Sequence, residues 1–276
     1  MVRKPNNANR ALIVLYIGDV VGRIGRRCVA KVLPELIEEY RPDLVVANAE
    51  NLAHGKGVTK DTFKELLDAG VTFCTSGNHI FSKEEALGML DEKKTPLIRP
   101  ANYPPGTPGK GSVIIEVGTR KVLLVNLQGR VFMKEGADDP FRAFDSIYSS
   151  YEDKKLSAII VDFHAEATSE KVAFGWYVEG RASAVVGTHT HVATADEWIL
   201  PGGTAYVTDL GMCGGRDTVI GRSKEEVLHK FQSLVGTKFE LPEEGHCRFN
   251  SVLIEIDPAT GKATDIERID REVEIL

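Results

Sequence analysis

The stretch LIVLYIGDVVGRIGRRCVAKVLPELIEEYRPDLVVA (residues 12–47) contains a strand, a helix and a second strand in that order. Leu12–Ile17 and Leu44–Ala47 are short apolar runs rich in branched side chains, which are typical of buried strands. Between them, Arg26–Tyr40 has the composition of a helix, in which Pro34 predicts a kink or an interruption. This order predicts a βαβ unit and a sheet that is at least partly parallel.

The same alternation continues along the chain. Further strands are predicted at Val71–Thr75, Ala158–Val161, Ala184–Val186 and Ala205–Val207. Further helices are predicted at Lys60–Ala69, at Lys83–Lys93, and from Ser223 to about residue 234. Ser82 and Glu85 have the spacing of a capping box, which predicts the start of the second of these helices.

Two pairs of apolar runs are joined by short turns and predict β-hairpins. They are Ser112–Val117 with Lys121–Asn126, and Asn250–Asp257 with Lys262–Ile269. Hairpin strands are antiparallel, so the sheet system is predicted to be mixed. The chain has no internal repeat and no low-complexity segment. We therefore expect one α/β domain at residues 11–276, after a flexible tail at residues 1–10.

Composition and charge narrow the class of protein. The chain has 276 residues, 42% of them hydrophobic, and a net charge of −6. This acidic balance argues against a stable complex with nucleic acid, but it is compatible with a small phosphorylated substrate if bound cations outweigh the local side-chain charge. The four cysteines are far apart, which favours free thiols in a reducing compartment. No apolar run approaches the roughly 18 residues of a membrane span, and the first ten residues lack the apolar core of a signal peptide. We expect a cytoplasmic protein without membrane contact.

Polar residues that can bind metals follow the predicted strands. They are Asp19, Glu50 with Asn51, Asn78 with His79, His164, and His189 with His191. If five of the strands are parallel, these residues meet at the same edge of the sheet, where ligand sites of open α/β sheets form. Carboxylate, amide and imidazole groups suit Mn, Fe, Zn, Co or Ni, and their number is enough for two metals. On an extended backbone, His189 and His191 point the same way and can each bind a different metal.

Each of these residues also has an ordinary structural interpretation. Asp19 could cap a helix, Asn78 could end a turn, and His164 could be a hydrogen-bonded core histidine. Capping alone does not account for so many histidines. Gly18, Gly22 and Gly25 follow a strand and precede a helix, but their spacing is not that of the dinucleotide-binding motif, which disfavours a nucleotide-binding oxidoreductase.

Gly77-Asn78-His79 and Gly187-Thr-His189-Thr-His191 resemble the motifs of the calcineurin-like metallophosphoesterase superfamily. More closely, the chain resembles the YmdB-type branch of small bacterial phosphodiesterases. The matching segments are IGDVVGRIGR (17–26), ANAENLAHGKGV (47–58), TSGNHIF (75–81), RPANYPPGTPGKG (99–111), VDFHAEATSEK (161–171), SAVVGTHTHVATAD (183–196) and VTDLGMCGGRDTVIG (207–221). They run in order from about residue 11 onward.

The resemblance implies two mixed sheets stacked face to face with helices outside, a four-layer α/β/β/α sandwich. It implies two metals, the first held by Asp19, Glu50, Asn51 and His191, and the second by Glu50, Asn78, His164 and His189. His79 is then left as the catalytic residue. The superfamily motif D-x-H is Asp19-Val20-Val21 here, and G-D-x-x-D is replaced by Ala49-Glu50-Asn51. Branch members often have Trp-Asp where this chain has Phe81-Ser82, which could alter the fit of the substrate.

The residues alone predict a phosphate ester as substrate, and the resemblance narrows it to 2′,3′- or 3′,5′-cyclic nucleotides, or both. We expect a hydroxide between the two metals to attack phosphorus and His79 to act as general acid. Iron or manganese is the expected metal, with zinc, cobalt or nickel as alternatives, and the resemblance suggests a homo-oligomer. Arg23, Arg26, Lys56 and Arg130 are candidate phosphate contacts, with solvated charge as the alternative. The alternative function is a metal-holding regulatory protein of RNA metabolism with little turnover.

Overall fold

The computed structural model describes residues 10–134, 136–233 and 240–276. The strands are β1 (Leu12–Val20), β2 (Leu44–Asn48), β3 (Phe73–Thr75), β4 (Ser112–Val117), β5 (Arg120–Gln128), β6 (Ala158–His164), β7 (Ala184–Thr188), β8 (Trp198–Ile199), β9 (Ala205–Val207), β10 (Met212–Gly215), β11 (Thr218–Val219), β12 (Arg222–Ser223), β13 (Gly245–Phe249), β14 (Ser251–Ile256), β15 (Ala263–Arg268) and β16 (Arg271–Ile275). The helices are α1 (Gly22–Tyr40), α2 (Lys60–Asp68), α3 (Glu85–Asp91), α4 (Pro140–Ser150), α5 (Thr168–Val178) and α6 (Lys224–Ser233).

Fourteen of these strands form two large mixed sheets, and β11 and β12 form a separate pair. The first has eight strands, with β15-β14-β1-β10-β13-β16 side by side, β2 paired with β1, and β3 paired with β2. In this sheet β2 and β10 run parallel to β1, and β3 runs parallel to β2. The second has six strands in the order β4-β5-β6-β7-β9-β8, of which β5, β6, β7 and β9 are parallel. Both predicted hairpins are confirmed, as β4–β5 and β14–β15.

Alternate side chains of β1 show how the layers are built. Ile13, Leu15 and Ile17 pack with the apolar residues of α1, α2 and α3. Leu12, Val14 and Tyr16 face the other way, into an apolar layer that residues of both sheets share. A third apolar layer lies between the second sheet and helices α4 and α5. Three apolar layers separate four layers of structure, so the expected α/β/β/α arrangement is confirmed.

Helix α1 starts earlier than predicted and runs through Pro34 without interruption. Its first turn lies close against β10, because a Cβ atom on Gly25 would stand 2.2 Å from the carbonyl oxygen of Cys213. Gly18 approaches Gly211 in the same way, also at 2.2 Å. These glycines therefore allow close packing of β1 and α1 against the next strand, rather than cradling a dinucleotide.

The predicted capping box of α3 is wrong. Residues Ile80–Ser82 form a 3₁₀ turn, and α3 begins three residues later behind Glu84, whose side chain makes no capping hydrogen bond. The turn directly follows His79, so this segment continues the loop that carries Asn78 and His79.

Three further expectations concern the N-terminal tail, the cysteines and membrane contact. Residues 1–9 of the predicted tail lie outside the described residues, and Arg10 forms an ion pair with Asp43. All four cysteines are buried free thiols. Within the described ranges, every helix is too short or too polar to cross a bilayer.

Candidate metal centre

The first sheet delivers five of the eight predicted site residues. Asp19 lies near the carboxyl end of β1, Glu50 and Asn51 follow β2, and Asn78 and His79 follow β3. Since the three strands are parallel, their carboxyl ends meet at one edge. Asp19, Glu50 and Asn51 are almost completely buried there, and Asn78 and His79 are partly exposed.

The second sheet delivers the three remaining histidines. His164 is the last residue of β6, and His189 and His191 follow β7. The extended backbone predicted for these two histidines is wrong, because β7 ends at Thr188 and their φ angles are 101° and 63°. The expectation of a single sheet edge was therefore wrong, because the site lies where the edges of two stacked sheets meet. All eight predicted residues are nevertheless brought together, as the following distances show.

One group of side chains surrounds Nε2 of His164. This atom lies 3.2 Å from Oε1 of Glu50, 3.1 Å from Oδ1 of Asn78 and 3.0 Å from Nδ1 of His189. Ligands bound at about 2.0–2.2 Å stand roughly 3 Å apart when their bonds to the cation are at right angles. The spacing and the oxygen and nitrogen donors therefore fit a transition-metal ion.

A second group surrounds the side-chain amide of Asn51. Its Nδ2 lies 3.1 Å from Nε2 of His191, 3.5 Å from Oδ1 of Asp19 and 3.3 Å from Oε1 of Glu50. A half-turn of the amide would present Oδ1 to the same position, as a metal ligand requires. Oε1 of Glu50 is common to both groups, so its carboxylate stands where a bridging ligand would.

The ring of His164 is oriented by a buried chain of hydrogen bonds. Its Nδ1 lies 2.9 Å from the hydroxyl of Thr188, and that hydroxyl donates to Oδ1 of Asp162 over 2.6 Å. Thr188 therefore accepts from Nδ1, so Nε2 is the nitrogen that faces Glu50. Histidine ligands of metals are commonly held in this way by a group on their remote nitrogen.

The two histidines that follow β7 are oriented similarly. Nε2 of His189 lies 3.0 Å from a carboxylate oxygen of Glu166, which turns Nδ1 toward His164. Nδ1 of His191 lies 3.0 Å from the carbonyl oxygen of Ile220, which turns Nε2 toward Asn51. Each of the three histidines thus directs one nitrogen into the centre and has an acceptor at the other.

Burial and neighbouring charges shift the pKa values of several groups in this centre. Burial raises the pKa of Asp19 to about 6, and burial and His164 lower the pKa of His189 to about 3. Burial opposes the charged forms of Glu50 and His164 too, but their mutual attraction prevails. It holds the pKa of Glu50 well below its usual range and raises the pKa of His164 to about 9.

Gly77 lies in direct contact with the side chains of the centre. A Cβ atom at this position would stand 2.2 Å from Nε2 of His164 and 2.5 Å from Oε2 of Glu50. A side chain at residue 77 would therefore fill the space between the groups that we compare with metal ligands.

His79 stands beside the centre and is held by its own backbone and ring. Its backbone N–H donates to Oε2 of Glu50 over 2.8 Å. Its Nδ1 lies 3.0 Å from Oδ1 of Asn51 and 3.2 Å from Oε1 of Glu50. The ring lines two adjoining cavities, of about 540 Å³ and about 430 Å³, that also share Lys56, Glu166 and His189.

A buried ion pair that the sequence did not reveal fixes the loop between the two histidines. The ammonium of Lys171 donates to Oδ2 of Asp209 over 2.6 Å and to the carbonyl oxygen of Thr188 over 2.8 Å. The same Asp209 oxygen accepts from the backbone N–H and the hydroxyl of Thr190, at 3.1 and 2.8 Å. These contacts join residues far apart in the chain, and no local motif marks them.

The four candidate phosphate contacts fall into two classes. Three of them pair with carboxylates, Arg23 with Glu243, Arg26 with Glu65, and Arg130 with Asp139. Lys56 is exposed and lines both cavities beside the centre. Of the four, it has the position best suited to meet a substrate.

Comparison with known proteins gives matches over nearly the whole chain. The family model described as YmdB-like protein matches residues 15–269. A 2′,3′-cyclic-nucleotide 2′-phosphodiesterase of Bacillus subtilis is 46% identical over 256 residues, which cover 93% of this chain and 96% of that protein.

Two crystal structures share the fold, and their sequences are 35% and 42% identical to this chain. A phosphatase from Mycoplasma pneumoniae has a TM-score of 0.89 and 35% identity, covering 96% of this chain and 94% of that one. A hypothetical protein from Thermus thermophilus has a TM-score of 0.87 and 42% identity, covering 94% of this chain and 99% of that one. The similarity therefore extends across both sheets, and across all the strands that carry the centre.

Proposed function

This chain belongs to the YmdB-like family, and from that membership and its site we propose that it is a metal-dependent phosphodiesterase that hydrolyses 2′,3′-cyclic nucleotides. The observation that carries the proposal is the position of Glu50. Its Oε1 lies 3.2 Å from Nε2 of His164, in the first group of side chains, and 3.3 Å from Nδ2 of Asn51, in the second. The name of the Bacillus subtilis relative gives 2′,3′-cyclic nucleotides as its class of substrate. We keep 3′,5′-cyclic nucleotides as a second candidate class, on the resemblance alone.

The proposed ligands divide between two cations. Asp19, Glu50, Asn51 and His191 would hold the first, and Glu50, Asn78, His164 and His189 the second. When bound, such cations supply Lewis acidity toward phosphoryl oxygens and lower the pKa of a water molecule to about 7. The chain contributes the fixed positions of the ligands, through the hydrogen bonds at the remote nitrogens of the three histidines.

His79 would give the proton that the reaction needs. Hydrolysis of a 2′,3′-cyclic phosphate at the 2′ ester adds water at phosphorus, breaks the bond between phosphorus and O2′, and leaves a 3′-phosphate. The departing O2′ takes up a proton. Because Nδ1 of His79 contacts Asn51 and Glu50, Nε2 is the nitrogen left to donate that proton as general acid.

The test is elemental analysis of the purified protein together with assays on 2′,3′-cyclic AMP, 3′,5′-cyclic AMP and bis-p-nitrophenyl phosphate. We expect bound transition metal and turnover of the 2′,3′-cyclic nucleotide to a 3′-phosphate. A metal-replete protein that hydrolyses neither cyclic nucleotide would overturn the proposal. If it also leaves bis-p-nitrophenyl phosphate intact, the alternative is favoured, a metal-holding regulatory protein of RNA metabolism.

Three further properties are part of the proposal. We keep iron or manganese as the proposed metal, with zinc, cobalt or nickel as alternatives, because ligands of oxygen and imidazole nitrogen rather than thiolate are compatible with all five. The free thiols agree with a cytoplasmic location. We also keep the homo-oligomer suggested by the resemblance, which sedimentation of the purified protein would test.

A further inference from the structure

Unusual backbone conformations are concentrated around the metal centre. Seven non-glycine residues in the described ranges have positive φ, and five of them line the two adjoining cavities. These five are His54, Phe132, His189, His191 and Ile220. Left-handed backbone is unfavourable for such side chains and persists where the surrounding structure enforces it, often at functional sites. The two metal-site histidines account for part of this concentration, but Phe132 is not explained by them.

Phe132 is an apolar ring held in solvent. Its φ is 63° and 84% of its surface is exposed. It lines the cavity of about 430 Å³ whose wall also includes Asn78, His79 and His189. Folding therefore gains almost nothing from burying this ring, although the ring stands at the entrance to the proposed reaction centre.

The turn that carries Phe132 is anchored from below by Glu170. Oε1 and Oε2 of this carboxylate accept from the backbone N–H of Arg130 at 2.9 and 3.1 Å, and Oε2 also accepts from that of Val131 at 3.1 Å. Glu170 is 8% exposed and lies in the first turn of α5. The backbone N–H of Met133 donates to the carbonyl oxygen of Arg130 over 3.3 Å and closes the turn. Phe132 therefore projects from a fixed turn.

We propose that Phe132 is the surface on which the nucleobase of the substrate stacks. The inference rests on the proposed function and adds the residue that recognises the base. A flat aromatic ring offers its face to any base, and such stacking is largely independent of sequence. The cavity volume lies within the range of roughly 300–1,000 Å³ that is usual for small-molecule sites. Lys56, Lys134 and Glu166 also line this cavity. Two ammonium groups against one carboxylate leave it with a positive balance, which suits an anionic nucleotide better than a neutral aromatic compound.

The kinetic test compares two substrates that share the cyclic phosphate but differ in the base. Phe132→Ala is expected to raise KM for 2′,3′-cyclic AMP roughly 5- to 150-fold, as loss of base stacking does, with little change in kcat. KM for glycerol 1,2-cyclic phosphate, which has no base, should stay the same. A merely structural role for Phe132 would instead change both substrates alike.

Three variants serve as controls. Phe132→Trp should keep or lower KM for the nucleotide, and Phe132→Leu, which is apolar but not aromatic, should behave like Phe132→Ala. Phe231→Ala removes another exposed ring, 76% exposed, in α6 outside both cavities, and should leave both substrates unaffected.

Binding to Phe132→Trp gives a readout that does not depend on turnover. A stacked base should quench the fluorescence of the new tryptophan beyond the change seen in wild type, which keeps Trp176 and Trp198. Adenosine 3′-phosphate should quench it and inorganic phosphate should not. If wild type hydrolyses the cyclic nucleotide while Phe132→Ala keeps the wild-type KM, the stacking role is refuted and the proposed function stands. If wild type hydrolyses no cyclic nucleotide, both are refuted.

Discussion

The ammonium of Lys171 lies 2.6 Å from the carboxylate of Asp209, and both side chains are buried. Replacing the lysine by methionine would leave the buried carboxylate of Asp209 without its cationic partner. We therefore expect Lys171→Met to lower the free energy of unfolding by about 3–5 kcal/mol. Urea denaturation of the metal-free protein measures this, and Lys64→Met is the control, because its ion pair with Asp68 is exposed. A loss below about 1 kcal/mol, the value of a surface pair, would contradict the prediction.

Thr188→Val tests whether the hydroxyl that contacts His164 matters for metal binding. The substitution keeps the shape of the side chain and removes the acceptor at Nδ1 of His164. Affinity for the metal should fall about 10- to 100-fold, as is usual when such a partner of a histidine ligand is lost. Metal titration with a competing chelator measures it. Thr264→Val, at an exposed position of β15, should bind like wild type, and equal affinity of the two variants would show that the hydroxyl does not act through His164.

His79→Ala and His189→Ala should separate catalysis from metal binding. His79→Ala is expected to reduce kcat by about 10²- to 10⁴-fold while the metal content stays near that of wild type, since His79 would act only as general acid. His189→Ala should lose metal and activity together. Elemental analysis and steady-state kinetics on the same preparations give both values. Full activity of His79→Ala would rule out its role as the acid.

Gly77→Ala should fill the space behind the centre. The new methyl group would stand 2.2 Å from Nε2 of His164, so this ring must move from the position in which it faces Glu50. We expect a folded protein with strongly reduced metal content. Gly88→Ala in α3 is the matched control, because a Cβ atom there has nothing within 4 Å and alanine favours a helix. Wild-type metal content in Gly77→Ala would show that metal binding does not require a glycine at this position.

The sequence predicted those parts of the fold and site that local patterns determine. Short branched runs identified β1, β2, β6 and β7, and a polar residue directly after each strand identified candidates from Asp19 to His191. Position after a strand is a local property, and parallel pairing brings such residues together within each sheet. The stacking of the two sheets, which joins the two sets, is not a local property. Helix α1 was predicted less accurately. It begins at Gly22 rather than Arg26, and it runs through Pro34 because tertiary packing overrides a local preference against proline.

Contacts between distant segments could not be predicted in the same way. Thr188 lies at the end of a strand among other small residues. Its hydroxyl can orient the ring of His164 only because that residue lies beside it in the neighbouring strand. Ser82 has the spacing of a helix cap, but it lies in a 3₁₀ turn that continues the loop carrying His79. Phe132 appears ordinary in sequence, and only its exposure and backbone conformation distinguish it.

The junction of the two sheets has a consequence for the newly made chain. Neither sheet alone holds a full set of donors, because Glu50 and Asn78 come from one and His164 and His189 from the other. Both must be docked, and the apolar layer between them closed, before a cation finds all its partners. If these residues hold the cations as proposed, hydrolytic competence depends on completed docking of the two sheets and arrives late in biogenesis.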